Sequence, residues 1–203
     1  MGANPARPSE SQRGAQGALR VTRSSVRPPR PPVSAGSTQF VTSARLEWLT
    51  RHVELEHCQL ADVRALTVFL GDVDLTLSGL DAPSVRLWVE RDENGVIAGS
   101  TGYEISCDGR HALIRSVAVS PTQRARGRGS ALARFALERA AEEGATSAWL
   151  FSRRSGPFWQ SLGFEPADRD ELAEVLADTH QVRLFQQTGQ LDREVAWSRP
   201  IGT

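Results

Sequence analysis

Two hydrophobic periods take turns along the chain after Phe40, one of about two residues and one of about three and a half, as expected for alternating strands and helices. Val53 to Cys58 reads as a first strand. Asp62 then opens a helical pattern, with Val63, Leu66, Val68, Phe69 and Leu70 recurring on one side and Gly71 as the stop. Arg86 to Glu90 alternates, with Leu87 and Val89 on one face. Asn94-Gly95 predicts a hairpin turn into a strand from Val96 to Ser106, and Asp108-Gly109 a second turn into His111 to Val119. These three strands are expected to form an antiparallel meander.

Beyond Ser120-Pro121 lies a basic loop carrying glycines, then a long amphipathic helix. Leu132, Phe135, Ala136, Arg139 and Ala140 keep helical spacing in it, and Gly144 closes it. Thr146 to Ser152 is a short apolar strand, Gly156 to Leu162 a small helix, and Gly163-Phe164 follows. Asp170 is expected to cap a helix running to about Leu176, and Arg193 to Ser198 to form the last strand. The sum is a mixed α/β domain on a twisted sheet. Helix follows strand at the glycine loop, where such folds usually hold a phosphate.

Residues 1–40 have a different character. They are rich in Pro, Arg, Ser and Gly, have Glu10 as their one acid, and contain Arg27-Pro28-Pro29-Arg30-Pro31-Pro32. A segment with so little apolar surface cannot offset its ordering entropy and is expected to be disordered. It reads as a solvated tail or misplaced start, a Pro-rich or basic interaction arm, or a transit peptide. Residues 41–203 are then the domain.

Lys and Arg together number 24, against 24 Asp and Glu, and every one of the 24 is Arg. The zero balance gives no general pull toward nucleic acid or an anionic membrane. Cys58 and Cys107 are unclustered and suit reduced thiols in a cytoplasmic protein. His52, His57, His111 and His180 show no zinc spacing, so no metal is expected. No run of about 18 apolar residues suggests a membrane span.

The chemistry concentrates in Arg115-Ser116-Val117-Ala118-Val119-Ser120-Pro121-Thr122-Gln123-Arg124-Ala125-Arg126-Gly127-Arg128-Gly129-Ser130. Backbone N–H groups at a helix start are unpaired and sit at the positive end of its dipole. Gly127 and Gly129 let a pyrophosphate approach those amides, while Arg124, Arg126, Arg128 and the Ser130 hydroxyl add donors. By itself Gly-x-Gly is a weak signal, lacking both the P-loop lysine and the full dinucleotide fingerprint. A basic surface loop would look the same.

In its context, Arg124-x-x-Gly127-x-Gly129 after Val117-Ala118-Val119 resembles the coenzyme A signature of the GNAT N-acetyltransferases. Phe158-Trp159-Gln160-Ser161-Leu162-Gly163-Phe164 is similar to that family's aromatic helix ending in Gly-Phe. The resemblance spans roughly Val53 to Arg199. It implies the GNAT fold, a twisted, mixed, mostly antiparallel sheet with splayed central strands, flanked by helices. It also implies acetyl-CoA as co-substrate. The pantetheine arm would bond the backbone at Val117, Ala118 and Val119, and the pyrophosphate would rest on Arg124, Ala125, Arg126, Gly127, Arg128, Gly129 and Ser130.

The implied reaction is attack of a primary amine on the acetyl thioester. Glu104 is the candidate base or substrate anchor, its alternative being a solvent-facing strand residue. The family's usual tyrosine acid stands here as Trp159, whose indole cannot give up a proton in that role, and the one Tyr is Tyr103. The thiolate would leave unassisted or take a proton from Ser152 or Ser155.

The strands Gly99-Ser100-Thr101-Gly102-Tyr103-Glu104 and Ile114 to Val119, with Gly163-Phe164-x-x-x-Asp168-Arg169, resemble bacterial arsenic-resistance N-acetyltransferases and the acetyltransferase domain of N-acetylglutamate synthase. That resemblance implies a small glutamate-like substrate, detoxification as one role, Arg115 as carboxylate anchor and Arg193 as a second. A surface ion pair is the alternative for each arginine. A peptide acetylator with an open groove and a non-catalytic acetyl-CoA sensor are the competing functions. A homodimer stays open, and no nucleic acid or membrane partner is implied.

Overall fold

The computed structural model describes residues 54–124 and 127–202. The expectations for residues 1–53, and for Ala125 and Arg126, lie outside them. Seven strands are β1 (Leu55–His57), β2 (Val85–Arg91), β3 (Ile97–Ile105), β4 (His111–Val119), β5 (Ser147–Phe151), β6 (Glu165–Ala167) and β7 (Ala196–Pro200). Five α-helices are α1 (Val63–Asp72), α2 (Arg128–Glu142), α3 (Gly156–Ser161), α4 (Arg169–Val175) and α5 (His180–Thr188). The sheet order is β1-β2-β3-β4-β5-β7-β6, and only the central β4–β5 pair is parallel. This is the mostly antiparallel mixed sheet with flanking helices that the resemblance implied.

Strand alternation assigns each face its helices. Ala112 and Ile114 of β4 join Tyr103, Leu150, Trp159 and the α2 residues Ala133, Ala136 and Leu137. Leu113 points to the opposite face, with Trp149, Leu172, Leu176 and Val182 of the α4–α5 region. Leu66 and Leu70 of α1 are fully buried against Leu87 and Val89, each contributing roughly 2 kcal/mol.

Three expectations are corrected. Gly71 lies within the last turn of α1, and the chain reverses three residues later at Asp74, which has φ 57°. Asp168, not Asp170, caps α4. Its extended backbone lets its carboxylate accept from the Asp170 and Glu171 amides at 2.7 and 3.0 Å, and these bonds hold its pKa below the usual range. Arg193 sits exposed on a 3-10 turn (Leu191–Arg193) before β7, which begins only at Ala196.

Gly102 lets β2 and β3 approach closely, because an added Cβ would lie 2.2 Å from the Arg86 carbonyl oxygen. Backbone cannot step aside as a side chain can. Gly102→Ala should therefore cost about 3 kcal/mol and lower the Tm by about 6–12 °C. A thermal melt matching the native protein would show that the strands can part at this point.

Candidate functional site

The β4–β5 ladder closes only three pairs, His111–Ser147, Ala112–Ala148 and Leu113–Trp149, and then the strands part. On the other edge of β4 the register with β3 shifts between Ser100 and Gly102, so that β4 carries one extra residue. That bulge falls at Ser116, a non-glycine residue at φ 56°, whose carbonyl accepts from the Ser100 hydroxyl at 2.6 Å. The extra residue flips the strand's parity: Val117 packs on the α2 face and Ala118 on the α1 face. Ser120 N–H bonds Ala98 across the ladder, so by strand alternation Val117 and Val119 turn their backbone groups toward the gap.

At the gap's far end stands the start of α2. Ala131 N–H makes the helix's first bond, to Gly127, which leaves the amides of Arg128, Gly129 and Ser130 ahead of the hydrogen-bond ladder. Gly127 is the N-cap residue at φ 92°, in the left-handed region. A Cβ on Gly129 would already touch the Phe158 ring at 3.6 Å. Val117, Ala118, Val119, Arg124 and Gly129 line a cavity of about 330 Å³ here. A free strand edge, the leading amides of a helix and two glycines make a cradle that fits a pantetheine arm and its pyrophosphate.

The arginines of the loop divide. Arg124 is exposed at the cavity. The Arg128 guanidinium turns away to pair with the buried Glu90 at 2.7–2.8 Å and to bond Gln123, which leaves this residue its backbone amide to offer a phosphate. Its side chain pins the helix start to β2. Gly99 makes room, since a Cβ there would sit 2.9 Å from the Glu90 carboxylate.

Val73, Leu75, Val117 and Ser155 also line a second cavity of about 300 Å³, so the two form one cleft. Its further lining includes Arg115, Ser116, Trp159, Gln181 and Glu194. Arg115 and Glu104 are both buried, which overturns the surface reading of each. One Arg115 terminal nitrogen donates to Glu104 Oε1, the other to the Ser78 carbonyl at 2.5 Å. Glu104 Oε2 accepts from the His180 amide at 2.5 Å, at the start of α5. Burial draws the Arg115 pKa down and the Glu104 charge opposes that. Glu104 stands behind Arg115 and does not line the cleft.

Trp159 lines the cleft but is wedged between Phe158 and Phe164, with ring centroids 4.9 and 5.3 Å away. Tyr103 lies elsewhere, on the α2 face. Its hydroxyl donates to Glu143 at 2.9 Å, and burial first, then Glu143, pushes its pKa well up. Ser152 and Ser155 both line the cleft, whereas Arg193 does not. Sequence reasoning passed over Gln181, Thr76 and Glu194. Their only signal is position, since they come from the loop after α1 and the segment between β6 and β7 that walls the cleft. Among the described residues no His, Cys, Asp or Glu cluster could hold a metal, and no helix is long and apolar enough to cross a membrane.

The fold is similar to N-acetylglutamate synthase from Neisseria gonorrhoeae, solved with coenzyme A and N-acetyl-glutamate, at 17% identity and TM-score 0.57 over 75% of this chain and 36% of that one. It is similar to a GNAT-family acetyltransferase from Staphylococcus aureus Mu50 (12% identity, TM-score 0.58, 73% of this chain and 99% of that one). A third likeness is to Rv2747 from Mycobacterium tuberculosis, whose structure holds CoA (16% identity, TM-score 0.57, 73% and 99%). At such identities the likeness shows the fold, and this chain spans about a third of the synthase's length. No curated protein matches the sequence. The fold is thus that of the GNAT class. The model of the Acetyltransferase (GNAT) family matches residues 46–164, and the chain belongs to that family, with acetyl-CoA as its co-substrate.

Proposed function

We propose that this acetyltransferase acts on the primary amine of a small amino-acid-like substrate, glutamate or an analogue of it. The observation that carries this reading is Arg115, a guanidinium buried at the cleft on the coenzyme-binding strand itself, where an acidic amino acid needs a cation. N-acetyl-glutamate in the gonococcal synthase structure supports the same choice. A peptide acetylator would call for an open groove without a buried arginine.

When bound, acetyl-CoA supplies the activated acetyl thioester. The backbone edge of Val117 and Val119 and the amides of Arg128, Gly129 and Ser130 hold the carrier. Glu104 has an oxygen committed to Arg115 and another to the His180 amide, so we assign it the anchoring role. It is a positioning residue that fixes the guanidinium. Ser152 and Ser155 offer hydroxyl protons to the departing thiolate. A cytoplasmic setting and a role in detoxifying amino-acid analogues belong to the same proposal.

The test is release of coenzyme A thiol from acetyl-CoA over a panel running from glutamate and its phosphinic and arsinic analogues to polyamines and short peptides. Turnover restricted to the glutamate-like compounds is expected. Turnover of polyamines or peptides alone would overturn the substrate assignment.

A further inference from the structure

Three buried side-chain atoms among the described residues have no hydrogen-bond partner, and all three belong to residues lining the same cleft. They are Arg115 Nε, Ser116 Oγ and Gln181 Oε1. Each residue is more than nine-tenths buried, with 5, 7 and 7% exposure. A buried polar atom left unpaired costs roughly 1–3 kcal/mol. Three at one place call for a ligand that satisfies them.

Their chemistry is mixed. Each terminal nitrogen of Arg115 has a partner, Glu104 for one and the Ser78 carbonyl for the other, and Nε is the guanidinium nitrogen without one. Ser116 adds a hydroxyl from the next residue, in the left-handed backbone of the bulge. Two adjacent donors suit one carboxylate. Gln181, on the first turn of α5, has its amide nitrogen toward Thr76 Oγ1 at 3.4 Å, which leaves its buried carbonyl oxygen as an unpaired acceptor. An acceptor lining the same cleft as two donors suits an ammonium beside a carboxylate.

We propose that Ser116 and Gln181 are specificity-determining residues that recognise the α-amino-acid group of the substrate. The carboxylate bonds Arg115 Nε–H and the Ser116 hydroxyl, and the amine bonds Gln181 Oε1. This rests on the amino-acid reading above and goes further: it assigns the α-carboxylate rather than a side-chain acid to Arg115, and it enlists a helix beyond the region matched by the family model. The Glu104 contact is kept, not displaced.

The experiment uses the full chain, L-glutamate and 4-aminobutyrate, an amine that lacks the α-carboxylate. Wild type should show a KM for L-glutamate at least about tenfold below that for 4-aminobutyrate. Ser116→Gly removes the hydroxyl and suits the positive φ. It and Gln181→Leu should each raise the glutamate KM about tenfold or more, with acetyl-CoA affinity within about threefold of wild type as the sign of an intact fold. Gln181→Glu keeps an acceptor toward the amine and should keep KM low while slowing kcat, because a carboxylate holds the amine as unreactive ammonium. A raised KM in Gln181→Glu overturns the amine assignment. Wild-type KM in Ser116→Gly and Gln181→Leu, with glutamate still acetylated, overturns this inference and leaves the substrate class standing. Acetylation of amines other than amino acids, with glutamate untouched, overturns both.

Discussion

Glu104→Gln is expected to lower turnover of the amine substrate more than about tenfold while acetyl-CoA affinity stays near wild type. The substitution keeps the size of the side chain and deletes its charge, stranding the Arg115 guanidinium in a site where its side chain is 2% exposed. Removing one member of a buried pair costs about 3–5 kcal/mol, because the other charge stays desolvated and alone. For a domain of this length the Tm should drop by about 6–20 °C. The double variant Glu104→Leu with Arg115→Met separates stability from function. It removes both charges, so the Tm should recover much of the loss. Turnover should not recover, because the substrate's anchor is gone. Thermal melts and thiol-release kinetics on the two variants and the native protein decide the matter. Normal turnover in Glu104→Gln would reduce Glu104 to a structural residue.

Filling the cradle should have the larger effect on coenzyme binding. In the double variant Gly127→Leu with Gly129→Leu, acetyl-CoA should bind at least about a hundredfold more weakly, as expected when two or more charge-assisted contacts are lost. The two positions act differently. Gly127 has φ 92°, where a leucine costs about 1–3 kcal/mol of backbone strain. Gly129 has ordinary room for a Cβ, and it is the rest of the leucine that would occupy the cavity shared with Val117 and Arg124. Calorimetric titration with acetyl-CoA, alongside a circular dichroism spectrum showing a folded domain, provides the check. Unchanged affinity would move the phosphate site away from the start of α2.

What sequence conveyed here was local. The His111–Val119 strand was read with its observed bounds because Asp108-Gly109 fixes one end and Ser120-Pro121 the other. The glycine loop was legible for the same reason, since strand end, loop and helix start lie within twenty consecutive residues. What lay hidden depends on distance or on register. Helix α5 passed unnoticed because Val182 and Phe185 are its only wholly buried apolar residues, too few to set a period. The pairing of Glu104 with Arg115 depends on the β3–β4 register, which sets Gly102 opposite Arg115 and Glu104 opposite Leu113 on one face, and no composition rule places the bulge that follows at a serine with positive φ. The cap of α4 was misplaced by two residues between two acids of equal capping ability, Asp168 and Asp170, where only the backbone angle tells them apart.

The segment between β6 and β7, which contributes Gln181 and Glu194 to the cleft and the His180 amide that holds Glu104, lies wholly after residue 164, where the match to the family model ends. In the function proposed above, the carrier is held by one stretch of chain and part of the acceptor's wall by another. Mutations in the later stretch can therefore rewrite the menu of amines while the handling of acetyl-CoA stays as it is. A protein divided in this way can change its diet without relearning its chemistry.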